Sequence, residues 1–177
     1  MSKWGKVDFK QLKKLQDKMQ KLNDMQQEFC EAAAKELAAR LLAKVIRRTP
    51  TGVVPDYITP QVKKDHWQGY TGGTLKRGWT GGKTSDGAAY AKSLPISKNG
   101  DTFVIDIINP VEYASYVEYG HRATPGRFVP ELGMKLKSGW VQGRFMLTIS
   151  VDELQKDAPK ILEKKLAKWL GDTLNGK

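Results

Sequence analysis

Apolar side chains in the first third of the chain recur at alternating intervals of three and four residues, the spacing of one helix face. The stripe consists of Phe9, Leu12, Leu15, Met19, Leu22, Met25 and Phe29, and is continued by Ala33, Leu37, Leu41 and Val45. Asp8 is placed to cap the start, and Pro50 ends the segment because the residue before a proline is driven out of helical geometry. The pattern predicts one long helix or two stacked helices over residues 1–49. Their stripe packs either into its own domain or against a neighbouring subunit.

Turn-forming residues replace the helical pattern after Pro50. Glycine and proline recur so often between residues 50 and 87 that we expect a long loop, with at most one short strand at residues 75–79. Beyond it, Asn99-Gly100 supplies the positive φ angles of a tight turn, flanked by residues 88–97 and 102–109. Phe103, Ile105 and Ile107 form one apolar face of the second flank. A β-hairpin over residues 88–109 follows.

A short helix is predicted for residues 110–120. Tyr113, Tyr116 and Val117 fall on one side of it and are expected to be buried, and Gly120 is expected to end it in a left-handed cap conformation.

The remaining residues predict an exposed segment and a closing helix. Residues 121–143 are basic and rich in Gly and Pro, which indicates an exposed loop or an extended arm. Helical spacing resumes over residues 144–177, where Ser150 and Glu153 are spaced as a capping box. Pro159 predicts a kink or the first turn of a separate final helix.

These segments predict one α+β domain over residues 1–177. In it, a long N-terminal helix or helix pair and a C-terminal helix pack on a small antiparallel sheet with extended loops. The hairpin face of Phe103, Ile105 and Ile107 is expected to meet the two helical stripes.

Charge is unevenly distributed along the chain, whose formal net charge is +11. The excess lies in residues 1–48 and in residues 121–144, where five cations face the single acid Glu131. Cations of the N-terminal segment sit at helical intervals with acids between them, which favours a solvated face over a DNA-binding stripe. A sequence-independent nucleic-acid-binding protein is nevertheless an alternative, because basic residues accompany aromatic ones in glycine-rich loops.

Catalytic and metal chemistry find little support in the sequence. The two histidines, His66 and His121, have no second ligand at metal-binding spacing, and Cys30 is interpreted as a small packing residue. Residues 78–84 contain Gly-Gly-Lys-Thr, but they lack the spacing and the strand-loop-helix context of a phosphate loop. We therefore expect no cofactor and no metal. No apolar run has the length of a membrane span or of a signal peptide, so we expect a protein made in a cytoplasm.

Four segments carry a resemblance to a known family: RRTPTG, GGTLKRGW, NPVEYASYVEYGHR and WVQGRFML. They resemble the tail-component family of long-tailed bacteriophages and prophages, which includes tail completion and neck proteins. The resemblance runs from the N-terminal helix to the C-terminal one and is sharpest over residues 109–120. Residues 55–73 look like an insertion relative to shorter members.

The resemblance implies a non-enzymatic virion component at the head-tail junction, assembled in the host cytoplasm. It implies a homo-oligomeric ring, six-fold by expectation, which contacts neck, connector or tail-tube proteins and through whose lumen DNA could pass. Ring closure requires heterologous interfaces. We expect this interface to include Trp79, Glu118, Arg122, Arg127, Phe128, Trp140 and Arg144.

Two further expectations concern this interface. Trp67, Tyr70, Trp79 and Trp140 lie in predicted loops, where each is either an interface anchor or folded back on its own domain. Glu112 or Glu118 is expected to pair with Arg122 or Arg127, on the same or an adjacent subunit.

Overall fold

The computed structural model describes residues 10–100 and 102–175, so Asp8 and its expected capping role lie outside the described residues. The helices are α1 (Lys10–Asp24), α2 (Gln26–Arg48), α3 (Pro60–His66), α4 (Thr74–Gly78), α5 (Gly87–Ser93), α6 (Ala114–Tyr119) and α7 (Met146–Asn175). The strands are β1 (Ser97–Asn99), β2 (Thr102–Val104), β3 (Gly120–Arg122), β4 (Phe128–Val129), β5 (Met134–Lys135) and β6 (Trp140–Gln142). A 3₁₀ turn, η1 (Pro130–Leu132), joins β4 to β5.

The fold is α+β, as the sequence predicts, with three small antiparallel pairs, β1-β2, β3-β6 and β4-β5. The N-terminal segment is a pair of successive helices that meet at Met25. Backbone hydrogen bonds of 3.1 Å from Met25 N to Lys21 O and from Phe29 N to Met25 O bridge this break. Among the described residues, every helix is too short or too polar to cross a membrane.

The core forms where α2 packs between α5 and α7. Its buried side chains are Ala38, Leu42, Val45, Leu75, Trp79, Ala91 and Met146. Gly87 allows α5 to approach α2 closely, because a Cβ at this position would lie 3.1 Å from Leu42 Cβ. Ile105 and Ile107 pack against this core, so the apolar alternation after the turn is confirmed for these two side chains.

The structure corrects the prediction for residues 50–97. The 50–87 segment is not one long loop, since it contains α3 and α4, and the strand expected at residues 75–79 is helical. Residues 88–93 belong to α5 rather than to a strand, because Asp86 caps this helix by accepting a 2.8 Å hydrogen bond from Ala88 N. The β-hairpin is therefore confined to β1 and β2 around Asn99-Gly100.

The helix predictions after Pro110 also require correction. Tyr113 and Tyr116 are exposed, not buried. Gly120 has the expected positive φ (82°), but its ψ of 175° is not that of a left-handed cap.

The closing helix α7 begins at Met146, before the capping box that the sequence predicts at Ser150. Ser150 does not cap it, because this residue lies inside α7, where its hydroxyl donates a 2.6 Å hydrogen bond to Met146 O. Pro159 lies within the same helix and does not begin a separate one.

Candidate subunit interface

Residues 120–142 form an irregular antiparallel β-ribbon, which we call the arm. Its base is the β3-β6 pair, with Gly120 opposite Gln142 and Arg122 opposite Trp140. Its tip is the β4-β5 pair. Backbone hydrogen bonds from Gly126 N to Leu136 O (2.8 Å) and from Leu136 N to Arg127 O (2.9 Å) connect the two pairs. The basic segment expected as a loop or extended arm is thus an arm with two short strand pairs.

The carboxylate of Glu118 joins the base of the arm to α7. Its Oε2 accepts a 2.9 Å hydrogen bond from Leu147 N, and its Oε1 accepts from the backbone nitrogen (2.9 Å) and hydroxyl (2.8 Å) of Thr148. These N–H groups lie in the first turn of α7 and have no acceptor within the helix. A negative charge here is also favoured by the helix dipole. Within the described residues, Glu118 therefore binds the start of α7 and not an arginine of its own chain, and this side chain is only 5% exposed. The pairing of Glu112 with Arg122 or Arg127 stays a prediction.

Two glycines fix the ends of the arm by close backbone contact. A Cβ at Gly120 would meet the carbonyl oxygen of Val141 and lie 2.8 Å from Gly143 N. At Gly143 it would meet the carbonyl oxygen of Glu118 and lie 2.6 Å from the carbonyl carbon of Tyr119. A larger residue at either position would push the two strands apart at the base.

The tip of the arm rests on α3. Trp67 Nε1, just after this helix, donates a 2.7 Å hydrogen bond to the carbonyl oxygen of Glu131 in η1. The Trp67 ring also meets Tyr70 edge-on, with centroids 4.9 Å apart. Residues 55–73, which resemble an insertion, thus support the tip of the arm. The signal for α3 was Thr59 before Pro60, since the Thr59 hydroxyl accepts from Val62 N and proline suits the first helical position.

Large apolar side chains remain exposed along the arm and on the adjoining face of α6. They are Tyr113, Tyr116, Tyr119, Phe128, Met134, Trp140 and Val141. Tyr116 meets the His121 ring with centroids 5.5 Å apart, and His121 Nδ1 is buried without a hydrogen-bond partner among the described residues. Arg122, Arg127 and Arg144 are exposed as well. The surface combines arginines with aromatic rings, which are residue types enriched in protein interfaces.

The seven residues that the sequence places in an interface separate into two groups. Arg122, Arg127, Phe128, Trp140 and Arg144 lie on the arm or directly after it and are exposed. Glu118 and Trp79 are buried within the chain. Trp79 is 3% exposed and donates a 2.7 Å hydrogen bond from Nε1 to the hydroxyl of Thr49. Both side chains are therefore covered by their own chain in this structure, and the interface itself stays a prediction.

Ion pairs hold α7 against α2 and keep the base of the arm in place. Lys44 Nζ lies 3.1 Å from Glu153 Oε2 and 3.2 Å from Asp157 Oδ2, and Arg48 also pairs with Glu153. The hydrogen bond from Lys44 holds the pKa of the Glu153 carboxyl below its ordinary value of 4.5. In turn, the hydrogen bond to Glu153 raises the pKa of Lys44 above 10.5.

A second ion pair between these two helices lies farther along them. Lys165 Nζ of α7 lies 2.9 Å from Glu36 Oε2 of α2. Its hydrogen bond, with a smaller contribution from Arg40, lowers the pKa of Glu36.

The described residues thus combine a helical core with an arm that carries exposed arginines and aromatic rings. The family model described as "Bacteriophage HK97-gp10, putative tail-component" matches residues 13–120, more than half of the chain. The chain therefore belongs to the HK97-gp10 family of bacteriophage tail components, which confirms the resemblance found in the sequence. Comparisons with curated proteins and with solved structures find no match.

Proposed function

We propose that this tail component is a non-enzymatic virion protein that forms a homo-oligomeric ring at the head-tail junction and acts in tail completion or head-tail joining. The observation that carries the proposal is the arm. It projects exposed Phe128 and Trp140 together with Arg122 and Arg127, and the chain gains little by exposing such rings unless another protein covers them. Six subunits are expected, in contact with neck, connector or tail-tube proteins.

The apolar stripe of α1 supports assembly independently of the arm. Leu15 and Met19 are 50% and 62% exposed, so α7 and α2 leave this part of the helix uncovered. Of the two alternatives that the sequence left open for the stripe, contact with a neighbouring subunit is favoured for these residues.

The proposal is tested by measuring the mass of the purified chain in solution and by imaging it with electron microscopy. A ring of about six 19.8 kDa subunits is expected. A variant lacking residues 127–137 should remain a folded monomer and fail to join tails to heads. Infectious particles completed by this variant, or a wild-type chain that stays monomeric in the presence of tails, would contradict the proposal.

A second candidate function, contact with the DNA that passes through the lumen, is favoured by one observation. Lys156, Lys160, Lys164 and Lys168 recur every fourth residue on α7, are exposed, and form no ion pair within the described residues. They extend over about 18 Å of helix. The last three line an open groove of about 520 Å³ between α7 and α2. A regular row of cations suits a polymer with regularly spaced phosphates.

This candidate is tested by measuring DNA affinity against salt. Replacing Lys160, Lys164 and Lys168 with Gln should flatten the slope of log K against log salt by about 0.9 for each phosphate that the variant no longer neutralises. The matched control replaces Lys13, Lys14 and Lys21 of α1. An unchanged slope in the α7 variant would exclude the row as a DNA-binding surface.

A further inference from the structure

Residues 105–108 directly follow β2, alternate between half-buried and exposed side chains, and have no strand partner among the described residues. Ile105 and Ile107 are half-buried against the core, whereas Asp106 and Ile108 point outward, and Ile108 is 69% exposed. Within the described part of the chain, the backbone N–H and C=O groups of these four residues form no hydrogen bond. We call this segment the open strand.

The pairing register explains why the open strand lacks a partner. In the β1-β2 ladder Ser97 lies opposite Val104, so continuing the ladder would bring Pro95 opposite Asp106. Proline has no N–H to donate and interrupts a ladder. The preceding residues also leave the sheet to form α5. An exposed, unpaired strand is the type of surface to which another chain adds a strand through backbone hydrogen bonds.

The charge distribution indicates which segment suits the open strand as a partner. Residues 102–120 contain no lysine or arginine, and their exposed charged side chains are Asp106 and Glu112. Within the described residues these two carboxylates form no ion pair. The segment that follows has the opposite charge balance, with Arg122, Arg127, Lys135, Lys137 and Arg144 against Glu131. Two complementary surfaces therefore lie on different parts of the same chain.

The arm itself can provide a strand. It is a two-stranded ribbon, so the outer edge of each strand is without a partner in the sheet. In its own chain the tip lies against α3, where Trp67 binds the Glu131 carbonyl. Because its own arm is held at α3, we infer that the arm that completes the open strand comes from another copy.

An apolar cavity adjoins the open strand and suits the aromatic rings of the arm. It has a volume of about 250 Å³, and Ile107, Ile108, Tyr119 and Leu147 are among its lining residues. Phe128 and Trp140 are exposed on the arm and have the size and polarity to enter it.

We propose that the arm of a second copy adds as a β-strand to residues 105–108, with its cations facing Asp106 and Glu112 and an aromatic ring in the adjoining cavity. The inference rests on the proposed ring and specifies its subunit contact. Because the two surfaces differ, the contact is heterologous and repeats from subunit to subunit, as ring closure requires.

Hydrogen exchange of the full-length chain, measured free and assembled, tests the inference. Amides of residues 105–108 should exchange quickly in the free chain and at least about tenfold more slowly in the ring, since a backbone hydrogen bond must then open first. Amides of the buried part of α2 serve as the internal reference. A ring in which residues 105–108 stay unprotected overturns strand addition and leaves the ring itself intact. A chain that never assembles overturns both.

Exchanging the charges of the two surfaces tests whether the arm is the added strand. Asp106→Lys combined with Glu112→Lys should prevent assembly, and adding Arg122→Glu and Arg127→Glu should restore it. The matched control is Asp172→Lys, an exposed carboxylate on α7, which should assemble normally. Normal assembly by the variant with Asp106→Lys and Glu112→Lys would show that the inference is wrong. It would be equally wrong if the quadruple variant stays monomeric while circular dichroism shows that it is folded, because another segment would then occupy the open strand.

Discussion

Glu118 and Thr148 are joined by two hydrogen bonds, from the backbone nitrogen (2.9 Å) and the hydroxyl (2.8 Å) of Thr148 to the Glu118 carboxylate. They link the end of α6 to the start of α7, on either side of the arm. A side chain that is 30 residues distant in sequence thus caps the longest helix described. The two ends of the arm are thus tied together at its base.

Removal of this cap should destabilise the chain. Glu118→Ala leaves the N–H groups of Leu147 and Thr148 without an acceptor, and we expect a loss of about 1–3 kcal/mol in the free energy of unfolding. Urea denaturation provides the measurement. Glu112→Ala, in an exposed glutamate six residues earlier, should remain within about 0.5 kcal/mol of the wild type. Equal stability of the two variants would show that the cap contributes nothing.

The glycine at the base of the arm should tolerate no side chain. Gly120→Ala adds a Cβ against Val141 O at a φ of 82°, so a loss of about 2 kcal/mol or more is expected. Gly126→Ala is the matched control, since its φ is 80° and a Cβ there meets nothing within 4 Å. The difference between the two variants in thermal unfolding measures the close contact alone. Equal stability of the two variants would contradict the close backbone contact at Gly120.

The two tryptophans Trp79 and Trp140 should respond in opposite ways to substitution. Trp79→Ala opens a cavity in the core and removes the hydrogen bond to Thr49, at a cost of about 3–5 kcal/mol. Trp140→Ala should change stability little but weaken assembly, because this ring is 52% exposed on the arm. Unfolding curves and sedimentation together separate the effects. Normal assembly by Trp140→Ala would remove this residue from the interface.

The ion pairs between α2 and α7 should make the free energy of unfolding depend on pH in acid. The folded chain lowers the pKa of Glu153 and of Glu36, so each contributes stability that is present above the ordinary value of 4.5 and is lost as pH falls through the lowered value. The raised pKa of Lys44 contributes stability that persists below 10.5 and is lost as pH rises through the raised value.

Glu153→Gln tests this dependence. The variant should be less stable at pH 7 and should lose less stability than the wild type between about pH 5 and pH 3. Glu163→Gln is the matched control, because Glu163 is exposed and forms no ion pair within the described residues. Parallel stability profiles for the wild type and Glu153→Gln would contradict the assigned pairing.

The local patterns of the sequence predicted those parts of the fold that depend on neighbouring residues. Helical stripes identified α1, α2 and α7, and Asn99-Gly100 identified the turn of the hairpin. The helix α5 was missed because the hairpin was extended backwards over residues 88–97, although Asp86 is a capping residue at the right position. Here the local capping signal was more informative than the expected strand length.

The site was harder to predict because its contacts join distant residues. Glu118 meets α7 after 30 residues, Trp67 meets Glu131 after 64, and Trp79 meets Thr49 after 30. Nothing in the local sequence distinguishes buried Trp79 from exposed Trp140, since both lie beside glycine. Charge and composition identified the arm, whereas its strand pairing and its contact with α3 required the structure.

The most direct test of the assembly account is a cryo-electron microscopy reconstruction of the assembled protein, alone or in the virion neck. The account predicts a closed ring, six-fold by expectation, in which each arm crosses to the next subunit and lies beside its residues 105–108. A reconstruction in which no arm lies beside residues 105–108 of the next subunit, or in which two arms meet across a two-fold axis, would contradict it.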